Sequence, residues 1–181
     1  MLRDEGRSFL EAGGRIEDAD MMLRMLRVAV PVSASASASA SASASEHDRE
    51  LGRAEPDREG EALAVLQAIG GLQAYRRAVR YAPTLVHVAN FLLYDGSYPG
   101  SVASAVDALG QALQTADAQP RSSPPVLRLG RLIADLELQR RTAESAPLHE
   151  TLERVQTELE LVDRDIGDRY FAIAALAAVH L

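Results

Sequence analysis

The chain has 181 residues, of which 47% are hydrophobic, and it carries 19 basic and 26 acidic residues for a net charge of −7. Its length suits one domain. No dense basic stripe is present, so we expect no nucleic-acid partner. The absence of cysteine excludes disulfides and thiolate metal sites. No apolar run approaches the roughly 20 residues that span a bilayer, and the first residues lack a signal-peptide pattern. We therefore expect a cytoplasmic protein without a membrane partner.

The first predicted element is a helix from Asp4 to Val30. Only 4% of the residues are aromatic and tryptophan is absent, so the core must be aliphatic, which favours packed helices over sheets. Gly13 and Gly14 interrupt the helix, either as a kink, as a close helix crossing or as a tolerated weak point. Its apolar residues recur at three- and four-residue steps: Phe9, Ala12, Ile16, Ala19, Leu23, Leu26 and Val30.

A low-complexity segment follows this helix. Pro31 ends the helix, Ser33 to Ser45 alternate strictly between serine and alanine, and the run from Glu46 to Gly60 is polar. Small alternating side chains bury too little surface to offset the entropy of ordering the backbone. We therefore predict a disordered linker over residues 31–60 that separates the first helix (1–30) from the remaining helices (61–181).

The rest of the chain alternates apolar helical stripes with turn signals. A second helix is predicted over 61–81, a third from the N-cap Thr84 to Leu93, a fourth capped by Ser97 or Ser101, a fifth around Leu129 and a sixth from Pro147. The sixth has the cleanest stripe, close to a coiled-coil seam: Leu148, Leu152, Val155, Leu159, Val162, Ile166 and Ile173. No segment has the pattern of a strand. The predicted fold is an all-α antiparallel bundle of five or six helices, some of them long.

The region from Tyr75 to Val102 carries the most informative motif, an apolar helix end at 91–93, an Asp95-Gly96 turn and a new helix capped by Ser101. It resembles the signature of the alpha-E family, bacterial all-helical proteins whose biochemical role is unsettled. Further segments resemble the same family in the same order: Arg3-Asp4-Glu5-Gly6, Gly14-Arg15-Ile16-Glu17, Tyr75-Arg76-Arg77, Leu129-Gly130-Arg131-Leu132, Leu136-Glu137 and Asp168-Arg169-Tyr170-Phe171. The resemblance thus supplies these candidate interaction or motif residues: Arg3, Asp4, Glu5, Arg15, Glu17, Arg76, Asp95, Ser101, Arg131, Glu137 and Tyr170.

The resemblance implies a role and a set of partners. Family domains are about twice this length, with two related halves, and this chain corresponds to the second half. The family is encoded or fused beside ATP-grasp peptide ligases and transglutaminase-like proteins. An accessory interaction module is therefore implied, whose partner is the missing first half, a second copy or such an enzyme. The family's Glu-Arg motif implies a buried ion pair from Glu17; because Asp18 stands in place of the arginine, Arg15, Arg24 or an arginine on another helix would be the partner.

Catalytic and metal-binding patterns are missing from the sequence. There is no Gly-x-Ser-x-Gly elbow, no phosphate loop and no Glu-x-x-His pair, so no catalytic, cofactor or metal residue is assigned and a non-enzymatic role is favoured. One alternative has Glu17, Asp95 and the Asp165/Asp168 pair converging on a cation or substrate pocket. Another is a half-domain without independent function.

Overall fold

The computed structural model describes residues 2–30, 55–142 and 148–171, and every regular element within these ranges is helical. The all-α prediction is therefore confirmed. A 3₁₀ turn at Pro120–Ser122 precedes the sixth helix, and a π-helical turn at Gly167–Phe171 follows the seventh. The described ranges hold seven α-helices in chain order: α1 (Leu2–Ala29), α2 (Glu55–Ala68), α3 (Leu72–Ala78), α4 (Leu85–Tyr94), α5 (Val102–Ala116), α6 (Pro124–Thr142) and α7 (Leu148–Ile166).

Four of these helices form a closed bundle. α1 packs along the length of α5, α5 packs on α6, α6 on α7, and α7 returns to α1. The predicted stripe of α1 faces this core, with Ala19 and Leu23 fully buried. The α7 stripe does the same from Leu152 to Ile166. Each buried aliphatic side chain contributes roughly 1.5–3 kcal/mol of transfer free energy, so these two stripes supply much of the stability of the bundle.

The three shorter helices cover one side of the bundle and fix the position of the signature turn. α4 contacts α1, α2, α5 and α6, and Thr84 caps it as predicted by accepting a hydrogen bond from the backbone N–H of His87 (3.2 Å). The ring of Phe91 lies between Tyr75 on α3 (5.4 Å between centroids, edge-on) and Tyr98 after α4 (5.1 Å, stacked). This aromatic column ties α3, α4 and the turn into one unit.

The predicted second helix differs from the observed one at both ends and in the middle. It begins at Glu55, inside the segment predicted as linker, and it is broken at Gly70, where φ is +68°. Only glycine adopts this conformation without strain. A Cβ on Gly71 would lie 3.2 Å from the Tyr98 hydroxyl, so the chain also needs a small residue there. One predicted helix is therefore two, which gives seven instead of six. The serine–alanine stretch lies outside the described residues.

Two further predictions concern helix shape. α1 runs unbroken through Gly13 and Gly14, and no atom comes within 4 Å of a Cβ built on either residue. Within the described residues, these glycines therefore do not break the helix and mark no close crossing. α7 ends at Ile166, and the predicted core position Ile173 lies outside the described ranges. No helix of the described chain combines the length and apolarity needed to cross a bilayer. The predicted cytoplasmic location stays a prediction.

Candidate functional site

The signature turn forms one wall of a cleft of about 540 Å³ between the end of α4, the start of α5 and the middle of α6. Asp95 ends α4, and its Oδ1 accepts hydrogen bonds from the backbone N–H (2.9 Å) and the hydroxyl (2.6 Å) of Ser97. This local turn holds the Asp95 carboxylate beside the cleft. Glu137 of α6 also lines the cleft, so two of the candidate residues meet here.

Arginines neutralise Glu137 within this cleft. Arg140 donates two hydrogen bonds to its carboxylate (2.8 and 3.0 Å) and Arg141 donates a third (2.7 Å). These bonds, first from Arg140 and then from Arg141, lower the pKa of Glu137 to about 2. A carboxyl group with this pKa is ionised at neutral pH and cannot serve as a general acid. In the part of the chain that the structure describes, no three histidine or carboxylate side chains are grouped to hold a metal ion.

Ser101, at the start of α5, has a structural role. It is buried, and its hydroxyl accepts a hydrogen bond from the backbone N–H of Ser104 (3.0 Å) as the N-cap of α5. The sequence pattern left Ser97 and Ser101 as alternatives for this cap, and the structure has Ser101. Because its side chain is sequestered, Ser101 is not available to a ligand.

Tyr170 belongs to a second cluster, which we call the Asp117 clasp: Asp117, Ser123, Arg169 and Tyr170. Asp117 follows the last residue of α5, and its side chain is only 4% exposed. Arg169, in the π-helical turn, donates a hydrogen bond to each carboxylate oxygen of Asp117 (2.8 and 3.1 Å). The Tyr170 hydroxyl donates to the same carboxylate and lies 3.1 Å from the Ser123 hydroxyl. The forked guanidinium contact is the strong geometry for such a pair.

The electrostatics of the clasp keep Asp117 ionised. Its hydrogen bonds, that from Arg169 foremost, hold the pKa of its carboxyl far below the usual range although burial opposes this shift. Burial is the main cause that raises the pKa of Tyr170, and donation to Asp117 adds to it. The ring of Tyr170 also packs on Phe9 of α1, 4.8 Å between centroids. The clasp therefore joins the end of α7 to α1 and to the α5–α6 connection, and Tyr170 is a structural residue.

Glu17 of the family motif is exposed. Arg15 pairs instead with Glu11 (3.9 Å) and Asp18 (3.4 Å), and Arg24 pairs with Asp20 (2.8 Å). No ion pair of Glu17 occurs among the described residues, so the implied buried pair is not formed there. Glu5 is exposed on the same helix, and the side chains of Arg3 and Asp4 lie outside the description.

The remaining candidates lie apart. Arg131 is exposed on α6, and Arg76 lies on α3 beside a different cleft. The alternative convergence of Glu17, Asp95 and the Asp165/Asp168 pair is not observed: neither Glu17 nor either residue of the pair lines the Asp95 cleft. Asp165 is bound by Arg128 across the α6–α7 interface (2.8 Å). The carboxylates therefore build no common pocket within the described chain.

Sequence reasoning missed the most strongly bound carboxylate. No pattern in the sequence around Asp117 indicates its role, and its partner Arg169 lies 52 residues further along the chain. No local spacing connects two residues at that distance. The available signal was Arg169 itself, a polar residue between Ile166 and Ile173 of the last apolar stripe, since a half-buried arginine favours a carboxylate partner.

Taken together, the closed four-helix bundle and the shorter helices packed on it define an all-α helical-bundle protein within the described residues. The chain belongs to the alpha-E family, whose model matches residues 1–171 and is described as a predicted alpha-helical domain with a conserved ER motif. No curated protein and no protein of solved structure matches the chain. The correspondence to one half of a longer domain stays a prediction.

Proposed function

We propose that this protein is a helical interaction module that docks through the outer face of α1, and that the occupant of this face is a second copy of the chain. The observation that carries the proposal is the exposure of three large apolar side chains on one face of α1. Leu10 is 81% exposed, Met21 56% and Val28 87%. They lie opposite the buried stripe of the same helix, so the bundle itself does not use them.

The outer face has the spacing of a helix–helix seam. Steps of three and four alternate along it, which is the heptad pattern of a and d positions in coiled coils. Gly14 on this face leaves open space where a neighbouring side chain can enter. The heptad positions of the outer face are Arg7, Leu10, Gly14, Glu17, Met21, Arg24 and Val28.

The seam is complementary to itself around Leu10, whereas Val28 has no residue of the described α1 opposite it in this pairing. In an antiparallel pair of α1 helices related by a two-fold axis level with Ala12, Leu10 of one copy lies over Gly14 of the other, because both are equally far from Ala12. The same axis brings Glu17 beside Arg7 of the second copy, and within the described chain neither residue has an ion pair. An isologous contact of this kind repeats each interaction twice, as dimers of this symmetry require.

Charge reversal tests this pairing. Light scattering after gel filtration over a range of concentrations should show a dimer for the wild type and a monomer for Glu17→Arg, because two like-charged pairs would face each other. Glu17→Arg combined with Arg7→Glu should restore the dimer. Glu160→Arg, the same charge change on an exposed position of α7, should leave it intact. A monomeric wild type, or a double variant that stays monomeric, would overturn the self-pairing.

The process served by the module follows from the family resemblance rather than from a contact in the structure. We propose an accessory role beside an ATP-grasp or transglutaminase-like enzyme of peptide synthesis or modification. Co-expression with such an enzyme encoded nearby should yield a complex that survives affinity purification. Failure to bind, with both proteins folded, would reject this association while leaving the dimer test unaffected.

A further inference from the structure

A second cleft, of about 520 Å³, lies between α2, α3 and the connection that leads to α4. Its shape follows from the local backbone. The break at Gly70 turns the chain from α2 into α3, α3 ends after Ala78, and Val79 is extended with φ −119° and ψ 125°. Pro83 then keeps the connection out of the helical conformation. The two helices and the extended connection enclose the cleft on three sides.

The charge of this cleft is opposite to that of the protein as a whole. Arg76 and Arg80 line it and Arg77 is adjacent, whereas Glu59 is the acidic side chain among the lining residues. Within the described chain none of the three arginines forms a salt bridge. Arg169, by contrast, forms an ion pair with a carboxylate. On a chain with a net charge of −7, a cleft lined by two arginines and one glutamate stands out.

The dipole of α3 accounts for the positions of only some of these arginines. Arg76 and Arg77 lie in the last turn of α3, where positive charge favours the helix dipole. Arg80 lies beyond the helix end, and the dipole gives no reason for it to line the same cleft. Tyr75 also lines the cleft, and its buried hydroxyl has no hydrogen-bond partner in the described chain.

We infer that this cleft binds an oxyanion, the phosphate or carboxylate group of a small ligand, with Arg76 and Arg80 as its cationic contacts. A guanidinium group presents paired N–H donors that match the oxygens of either anion. The volume accommodates more than the anionic group itself, as is usual for small-molecule clefts. Tyr81 is exposed at the same cleft, with its ring 6.0 Å from that of His87, and provides an aromatic edge for the rest of the ligand.

Isothermal titration calorimetry of the full chain tests the inference, with pyrophosphate and N-acetylglycine as separate titrants at low ionic strength. Saturable binding of either titrant is expected, and which of them binds identifies the anion class. Arg76→Gln combined with Arg80→Gln should weaken binding roughly tenfold or more, because two charged contacts are lost. Arg131→Gln, the same change at an exposed position outside the cleft, should leave the affinity unchanged.

The controls make the outcome decisive. Arg76 and Arg80 are exposed, so the double variant should retain the wild-type circular dichroism spectrum and melting temperature. Raised salt should weaken binding by screening the charges. Absence of saturable binding for both titrants, or equal affinity of wild type and double variant, would overturn the inference. Equal loss in the Arg131→Gln variant would show attraction to overall arginine charge instead of a site.

Discussion

The same functional group has opposite surroundings in two regions of this molecule, the Asp117 clasp and the outer face of α1. The Asp117 carboxylate is buried and accepts hydrogen bonds from Arg169, Tyr170 and the backbone N–H of Gln119. The Glu17 carboxylate is exposed and has no ion pair within the described chain. Family resemblance pointed to Glu17 and gave no role to Asp117.

The difference separates stability from recognition. A buried carboxylate with several donors holds the fold together, because removing any partner leaves a desolvated charge. An exposed carboxylate without partners contributes little to folding but is ready to meet a cation on another molecule. The motif helix therefore presents the exposed carboxylate that the proposed dimer would use, whereas the clasp fixes the end of α7 against α1 and the α5–α6 connection.

The largest effect is expected when the clasp carboxylate is neutralised. Asp117→Asn keeps the shape but leaves Arg169 facing an amide, so the free energy of unfolding should fall by about 1.5–3 kcal/mol, the usual worth of hydrogen bonds to a charged group. Urea unfolding followed by circular dichroism measures it. Asp163→Asn, on an exposed position of α7, should change stability by less than about 0.5 kcal/mol. Equal effects of the two variants would remove the distinction between the regions.

The pH dependence of stability should reflect the ionisation of the same carboxylate, Asp117. The pKa of Asp117 is lowered in the folded state, chiefly by Arg169, so its ionised form stabilises the fold above the unfolded-state pKa. This contribution is lost as the pH falls below about 4, the ordinary aspartate value, towards the folded-state pKa. The stability difference between wild type and Asp117→Asn should be constant at neutral pH and shrink in acid.

Glu137 provides a control for this titration. Its pKa is lowered to about 2 by Arg140 and Arg141, so its effect has the same sign. Glu137 lies outside the clasp. When Glu137→Gln is introduced into both wild type and Asp117→Asn, the stability difference between the two proteins should therefore keep the same pH dependence. If that difference persists unchanged at acid pH, the clasp does not depend on the charge of Asp117.

An intermediate effect is expected from Tyr170→Phe. The substitution removes the hydroxyl contacts to Asp117 and Ser123 and keeps the ring packing on Phe9. The loss should be about 1 kcal/mol, the net value of a typical hydrogen bond. In a double-mutant cycle with Asp117→Asn the two losses should not add, because Asp117→Asn weakens the same bond that Tyr170→Phe removes. Additive losses would mean that Tyr170 and Asp117 contribute to stability independently of each other.

Local patterns were sufficient to predict most of the fold. The α1 and α7 stripes, the Thr84 and Ser101 caps and the all-helical architecture follow from spacing within a few turns, which a sequence displays directly. The break at Gly70 was not predicted, because a paired glycine inside an apolar stripe is compatible with either a weak helix or a positive-φ turn.

The candidate residues were harder to interpret, because their surroundings are set by contacts between distant segments. Asp95 and Glu137 share a cleft through packing of α4 on α6, and Asp117 meets Arg169 through closure of the bundle. A sequence motif identifies a residue but does not indicate whether its side chain is buried or exposed. Glu17 shows this limit: the resemblance implied a buried pair, and the structure has the residue on the outer face of α1.

The smallest effect on stability, and the sharpest test of the comparison, is expected from Glu17→Gln. An exposed carboxylate without an ion pair contributes less than about 0.5 kcal/mol to folding, so the melting temperature should not change. A Glu17 buried in an ion pair would instead cost about 3–5 kcal/mol when neutralised. The two alternatives differ enough for one thermal denaturation experiment to separate them.

The same variant should alter association while it leaves folding intact. Glu17→Gln removes the charge that faces Arg7 of a second copy but adds no repulsion, so the dimer should weaken by less than in Glu17→Arg. Sedimentation equilibrium of the wild type and both variants gives the order of their dissociation constants. A large fall in melting temperature with unchanged association would assign Glu17 to the fold, and the separation between the clasp and the outer face of α1 would then not hold.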